Sequence, residues 1–213
     1  GSTNFRISRS RLINSWKPQL DDPVNLPWMH GDATDIIRQT LELRYRLLPY
    51  LYTLAYQTHK TGEPILRPLF YDYPDPQSYE ERDCFLVGKD LLVAPVVEPG
   101  DKAVSVYLPR NAYGWYDFHT QKWYAGGQIV EIGAELDRLP ILIQAGAVIP
   151  MAITWAPESP HDAQVIELVC YSPRSTGSRK SCFFYDDGVS WNHQKDPHSL
   201  ISMEIKADSS QVR

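Results

Sequence analysis

A change of hydrophobic period near Gly62 sets what this chain can fold into. Ahead of it, Ile37, Leu41, Tyr45, Leu48, Tyr52 and Ala55 recur at spacings of three or four. That spacing predicts one long amphipathic helix from Asp32 to Gly62 with these side chains facing a core. Asp32 is placed to cap it with Asp35 in the first turn, and His59 and Lys60 precede Gly62 at its end, as capping chemistry and the helix dipole favour. Arg38, Glu42 and Arg46 stand four apart on the other face, where opposite charges support each other by a few tenths of a kcal/mol. Pro49 interrupts the pattern, because it lacks an N–H and crowds the carbonyl of Tyr45. The helix is therefore expected to kink and to be held by packing of Leu47, Leu48, Leu51 and Tyr52.

Beyond Glu63 the apolar residues fall into short runs between Pro, Gly and Asp. The runs are 65–71, 91–97, 105–108, 114–118, 129–132, 141–143, 147–150, 165–171 and 181–185. Runs this short, rich in Val, Ile, Tyr and Phe, predict an antiparallel β-sandwich. The last two, joined through a turn-rich stretch centred on Thr176, are expected to pair as a hairpin. Cys170 then lies opposite Cys182 and Leu168 opposite Phe184, with Ile166 on the same core-facing side. Directly opposed Cβ atoms are about 4.5–5.5 Å apart, longer than a relaxed disulfide prefers, so neighbouring reduced thiols are expected.

The remaining segments are irregular. Gly1-Ser2 resembles the scar of a cleaved tag and is left out of the fold reading. Pro18, Pro23 and Pro27 make the stretch before Met29 a wrapping loop pinned by Trp16 and Trp28. Two prolines within 156–160 mark the favoured internal boundary.

Composition removes several functions. A net charge of −5 lacks the basic face that nucleic acid or anionic lipid requires, so neither nucleic acid nor a membrane is expected as a partner. No stretch approaches the roughly 20 apolar residues of a spanning helix. The three cysteines, Cys84, Cys170 and Cys182, sit far apart without histidines at ligand spacing, which argues against a zinc site. Phosphate-binding, dinucleotide, metalloprotease and serine-elbow motifs do not occur, so no cofactor or metal is expected. Six histidines, His30, His59, His119, His161, His193 and His198, read mostly as surface residues without a nucleophile partner. The adjacent carboxylates Asp21/Asp22, Asp72/Asp75 and Asp186/Asp187 read as turn residues bonding their own backbone, although two carboxylates across a sugar would make a glycosidase.

One set of motifs is more specific. The order is Leu43-Arg44-Tyr45-Arg46-Leu47-Leu48-Pro49-Tyr50-Leu51-Tyr52, then Gly62-Glu63-Pro64 with Arg67-Pro68-Leu69-Phe70, and Phe85-Leu86-Val87-Gly88 with Leu91-Leu92-Val93-Ala94-Pro95-Val96. Trp115-Tyr116-Asp117-Phe118, the run from Leu142 to Pro150 and Phe184-Tyr185-Asp186-Asp187-Gly188 follow. In order and spacing this set resembles the C-terminal portion of glycoside hydrolase family 31, the α-glucosidases and α-xylosidases.

The resemblance implies a mainly β chain with a long N-terminal helix, the end of a (β/α)8 barrel followed by antiparallel β-sandwich C-terminal domains. It divides the chain into 1–62 (tag remnant, loop and last barrel helix), 63–157 (proximal C-terminal sandwich) and 158–213 (start of a distal β-domain). The family's nucleophile, an aspartate in a Trp-x-Asp-Met-Asn-Glu-like strand end, and its acid, a second aspartate, lie in the barrel ahead of this helix. Neither motif is in these 213 residues, so the chain is expected to be a non-catalytic fragment whose carbohydrate substrate is bound by the barrel domain. Asp117 reads as structural. Asn14 stands where the family has a sugar-contacting histidine, and is the one candidate substrate-binding residue. The alternative is a free-standing carbohydrate-binding sandwich that stacks sugars on Trp115, Trp123 or Trp155.

Overall fold

The computed structural model of the chain describes residues 33–98, 100–153, 165–196 and 199–208. The expected single helix is two, α1 (Thr34–Arg46) and α2 (Leu48–Thr61). Pro49 causes the break, since it has no N–H to offer the carbonyl of Tyr45. Leu47 (φ −82°, ψ −1°) ends α1, and Pro49 falls in the first turn of α2, where a backbone N–H has no intrahelical partner anyway. Leu47 N still donates to Leu43 O (3.0 Å) and Leu51 N to Leu47 O (2.9 Å), so hydrogen bonding resumes on both sides of the break. The residue at the N-cap of α1 is Ala33, without a side-chain cap, and Asp32 lies outside the described residues. Gly62 closes α2 in the left-handed region (φ 77°), its N–H donating to Thr58 O, as the sequence predicts.

The next elements are β1 (Leu66–Pro68), α3 (Leu69–Asp72), α4 (Pro76–Glu80), β2 (Phe85–Val87), β3 (Leu91–Val93), β4 (Ala103–Leu108), β5 (Trp115–Asp117), β6 (Trp123–Tyr124), β7 (Gln128–Gly133) and β8 (Ile141–Gln144). β9 (Val148–Ala152), β10 (Ile166–Cys170), β11 (Gly177–Phe184), a short 3-10 turn at Asn192–Gln194 and β12 (Leu200–Ala207) complete them. Six strands make one antiparallel sheet in the order β1-β2-β3-β8-β5-β6, while β4–β7, β9–β10 and β11–β12 pair separately.

The central strands are covered on both faces, so they read as unbroken apolar runs. Leu86, Leu92 and Leu142 stand opposite one another across β2, β3 and β8, and each is fully buried. They point, with Trp115, Leu69 and Cys84, into a core closed by Val106, Leu108 and Ile132 of the β4–β7 ribbon. Their neighbours Val87, Leu91, Val93, Ile141 and Ile143 point the opposite way, onto Tyr50 and Leu54 of α2, Ile149 and Met151 of β9, and Tyr171. The architecture is thus a sheet between a β-ribbon and a layer of helix plus β9. Gly88, in the β2–β3 turn, seats α2: its φ is +62°, and a Cβ there would meet Leu54 Cδ2 and Tyr50 Oη at 2.6 Å.

Two expectations are corrected. Ile37 of the expected stripe is buried and Leu47 and Leu51 pack as expected, but Tyr45, Leu48 and Tyr52 are 45–48% exposed, and the seam on the sheet is Leu43, Leu47, Tyr50, Leu51 and Leu54. Apolar residues lie on both sides of α2, so period alone supports either face. The hairpin between 165–171 and 181–185 does not form. β10 pairs with β9, which puts Cys170 opposite Val148, and β11 pairs with β12, which puts Cys182 opposite Ser202 and Phe184 opposite Leu200. Strand β9 comes between them, its Val148 N donating to Ser181 Oγ (3.2 Å). All three cysteines are free thiols, and they are not neighbours in the expected register. The boundary expected within 156–160 lies outside the described residues.

The buried seam fixes a stability contrast. Leu54→Ala should cost about 2–5 kcal/mol by urea denaturation, against less than about 1 kcal/mol for the half-exposed Leu48→Ala. Equal losses would show that α2 docks through the other stripe.

Candidate functional site

The family-like motifs converge on two ionic networks, one buried and one partly exposed. Arg67 emerges on the short β1, and the Pro64 and Asp72 ends of its segment fold back over its guanidinium. Its side chain is 2% exposed, with Nε donating to Pro64 O (2.7 Å), Nη1 to both oxygens of Asp72 (3.1 and 3.2 Å) and Nη2 to Glu63 Oε2 (3.1 Å). Two carboxylates and a carbonyl satisfy most of its donors, which makes burial of the charge tolerable. In the second network Asp90 accepts from Arg179 of β11 (2.6 Å) and from the Tyr50 hydroxyl (3.2 Å), which also reaches Val87 O (2.8 Å). Burial first, and then the adjacent Asp90 carboxylate, push the Tyr50 hydroxyl well above its ordinary value, so it stays a neutral donor.

Among the described residues, polar and aromatic side chains also cluster where the loop after β11 meets α2. Phe184 stacks on Tyr56 (centroids 3.8 Å, 8°), and its N–H donates to Thr53 Oγ1 (3.1 Å). Tyr52 Oη donates to Asp186 Oδ1 (2.9 Å), the same oxygen that receives Gly188 N (2.9 Å). Nδ1 of His193 is 3.5 Å from Asp186 Oδ2, and the ring packs edge-on to Phe184. Partial burial, followed by the bond to Asp186, raises the Tyr52 hydroxyl above its usual value. Asp187 serves its own turn: Oδ1 accepts Val189 N (3.1 Å) and Ser190 N (2.8 Å), and Oδ2 accepts the Ser190 hydroxyl (2.6 Å). Chemically this corner clamps a loop onto a helix, with its carboxylates already engaged.

The other predicted residues separate as follows. Asp75 caps α4, Oδ1 accepting Ser78 N (2.9 Å), so it and Asp187 are turn residues as expected, whereas Asp72 belongs to Arg67. His59 and His119 are exposed, as expected of most of the histidines, and His193 is half-buried against Asp186. Trp115 is fully buried with Nε1 donating to Pro109 O (2.9 Å). Trp123 is half-buried, its Nε1 donates to Tyr113 O (2.9 Å), and the Arg174 guanidinium lies 5.6 Å from its ring centroid. Asn14, Trp16, Trp28, Trp155, His30, His161, His198, Asp21 and Asp22 lie outside the described residues. Among the described residues no cluster of His, Cys, Asp and Glu has metal-holding geometry, and no helix is long and apolar enough to cross a membrane. The partners Thr53 and Gln57, the latter 2.9 Å from Cys182 Sγ, were not separable in sequence from a generic helix surface.

Comparison with known proteins matches residues 10–54 to the glycosyl hydrolases family 31 TIM-barrel domain and residues 62–149 to the glycosyl hydrolase family 31 C-terminal domain. Neutral alpha-glucosidase C of Mus musculus is 35% identical over 78% of the chain and 19% of its own length. Alpha-glucosidase 2 of Bacillus thermoamyloliquefaciens is 33% identical over 87% of the chain and 23% of its own. Among solved structures, a dextranase of the same family from Flavobacterium johnsoniae, complexed with glucose, superposes with a TM-score of 0.78 at 33% identity over 88% of this chain and 23% of that one. The chain spans roughly a fifth to a quarter of the length of these relatives.

The Asp187 turn has a pH signature. The Ser190 hydroxyl and amide, then the Val189 amide, hold its carboxyl down to about 2. A depressed carboxyl supports the turn above the ordinary carboxylate range and loses that support as pH falls through about 2. Carboxyl 13C titration should place the Asp187 midpoint near 2, and Ser190→Ala should move it toward the usual value of about 3.9. An ordinary midpoint in the unaltered chain would refute the turn geometry.

Proposed function

Because this chain belongs to glycosyl hydrolase family 31, carrying the end of its barrel domain and its C-terminal domain, we propose that it is a non-catalytic part of a retaining α-glycosidase that hydrolyses α-glucosides or α-xylosides. Its role is to support the barrel, whose carboxylates do the chemistry and whose cavity binds the carbohydrate. Neither nucleic acid nor a membrane is a partner in this reading.

The observation that carries it is the second apolar stripe of α1 and α2. Tyr45, Leu48 and Tyr52 stand about half exposed beside a seam that already docks on the sheet, and all three belong to the segment matched to the barrel domain. A helix apolar on two sides is built to lie between two partners. The engagement of Asp72, Asp75, Asp186 and Asp187 in ion pairs and turns supports the non-catalytic half of the proposal, since a retaining pair has two carboxyl groups about 5–5.5 Å apart and open to a sugar. A stand-alone module stacking sugars on its tryptophans has less support. Trp115 is buried, and the Trp123 ring carries Arg174.

The direct test is turnover. Purified chain incubated with an aryl α-glucoside or α-xyloside should release no aglycone above a heat-killed control, and activity that persists through repurification would overturn the non-catalytic reading.

A further inference from the structure

Strand β12 leaves one backbone edge open. It runs for eight residues, Leu200–Ala207, in unbroken register with β11, and among the described residues no strand pairs with its far side. Tyr185 N donates to Ser199 O (2.8 Å) one step beyond the ladder. Antiparallel pairs alternate between bonded and non-bonded, so Ile201, Met203, Ile205 and Ala207 are the residues that bond β11. Leu200, Ser202, Glu204 and Lys206 therefore turn their N–H and C=O groups outward.

Natural sheets blunt such an edge with proline, a bulge, short length or an unmatched charge. Strand β12 has none of these. Its one cation, Lys206, lies 3.3 Å from Glu204, so the strand is neutral and does not repel its own copy. Its sequence is also self-complementary. In an antiparallel copy centred on Ile205, Glu204 stands opposite the partner's Lys206, and Lys206 opposite the partner's Glu204. Both are outward-facing positions, so the same pairs carry the backbone hydrogen bonds. Glu204 also faces Lys180 across the ribbon, which places it between two cations once the sheets join. Sliding the copy by two residues sets Glu204 against Glu204 or Lys206 against Lys206, and like charges directly opposite are destabilising. On the other face Ile205 meets the partner's Ile205 in a non-bonded pair, where side chains come closest, and Met203 meets the partner's Ala207. Met203, Ile205 and Ala207 are only partly buried in the single chain.

We propose that β12 is a homodimerisation edge: two copies of this chain pair β12 with β12 about a two-fold axis at Ile205, making one four-stranded sheet in the order β11-β12-β12-β11. Backbone bonds supply the attraction, and the Glu204–Lys206 pairs fix the register.

Sedimentation of the whole chain from about 10 µM to about 1 mM, in about 0.05 M salt, should show a monomer–dimer equilibrium with Kd on the order of 0.1 mM. Amide hydrogen exchange of Ser202, Glu204 and Lys206 should slow as concentration rises, more than that of Met203 and Ile205, whose amides already bond β11. Lys206→Glu sets anions against anions and should weaken association at least about tenfold. Glu204→Lys sets cations against cations and should do the same, with circular dichroism checking its fold because the new lysine faces Lys180. An equal mixture of these two variants should dimerise again, since the anionic edge of one then meets the cationic edge of the other. Glu204→Pro deletes an outward N–H and no bond to β11, so it should abolish the dimer, and it replaces Glu204→Lys if that variant does not fold. A chain that stays monomeric at about 1 mM overturns the proposal. A dimer unchanged by Lys206→Glu and Glu204→Pro overturns it too, because association then uses another surface. Protection of the outward amides at every concentration also overturns it, because a segment of the same chain then covers the edge. Aglycone release has no bearing on any of these outcomes.

Discussion

Burial of β3 and β8 on both faces is the constraint on which the other elements depend. Leu92 and Leu142 face the β4–β7 ribbon, while Leu91, Val93, Ile141 and Ile143 face α2 and β9. A strand with apolar side chains on both sides cannot sit at a surface, so the chain must supply two covers. Each fully buried leucine is worth about 1.5–3 kcal/mol relative to exposure, and the row Leu86, Leu92, Leu142 concentrates that gain at the middle of the sheet. The helical layer is held where it is by this demand.

Polar links fix the angle at which the covers lie. Arg67 ties β1 to both ends of its own segment, and Asp90 ties the β2–β3 turn to β11 and α2 at once. Hydrophobic burial is non-directional, so these bonds specify one docking among several of similar area. Glu63, Pro64 and Arg67, near neighbours in sequence, thus form one network. The corner at Asp186 does the same for the loop after β11, through Tyr52 and His193.

The β-rich architecture was legible because the runs around Leu91, Val106, Trp115, Ile132 and Ile143 are short and bounded by turn residues. Gly62 was legible as a helix stop for a similarly local reason. What period could not decide was which side of α2 is buried, because Leu48 and Tyr52 on one stripe compete with Leu47 and Leu54 on the next. Partner choice was also hidden. Proximity favours pairing 165–171 with 181–185, yet Ile201, Met203 and Ile205 alternate with Ser202, Glu204 and Lys206, and that period-2 pattern is the one β11 answers. That Asp117 and Lys122 lie near Glu135 and Arg138 was not legible, since the two turns that carry them meet only in the fold.

The sheet order also sets a sequence of events. β8 lies between β3 and β5, yet some 47 residues, including the whole β4–β7 ribbon, separate Val93 from Ile141. On a chain synthesised from its N-terminus, one edge of β3 stays open until β8 emerges and closes it. Closing a loop of that length is paid for before the pairing rewards it, which slows assembly. In the interval Leu91, Leu92 and Val93 present an apolar strand with unpaired backbone groups, the kind of surface other chains add to. The arrangement that makes the finished centre inaccessible from both sides leaves it, during synthesis, as the last part of the sheet to be protected.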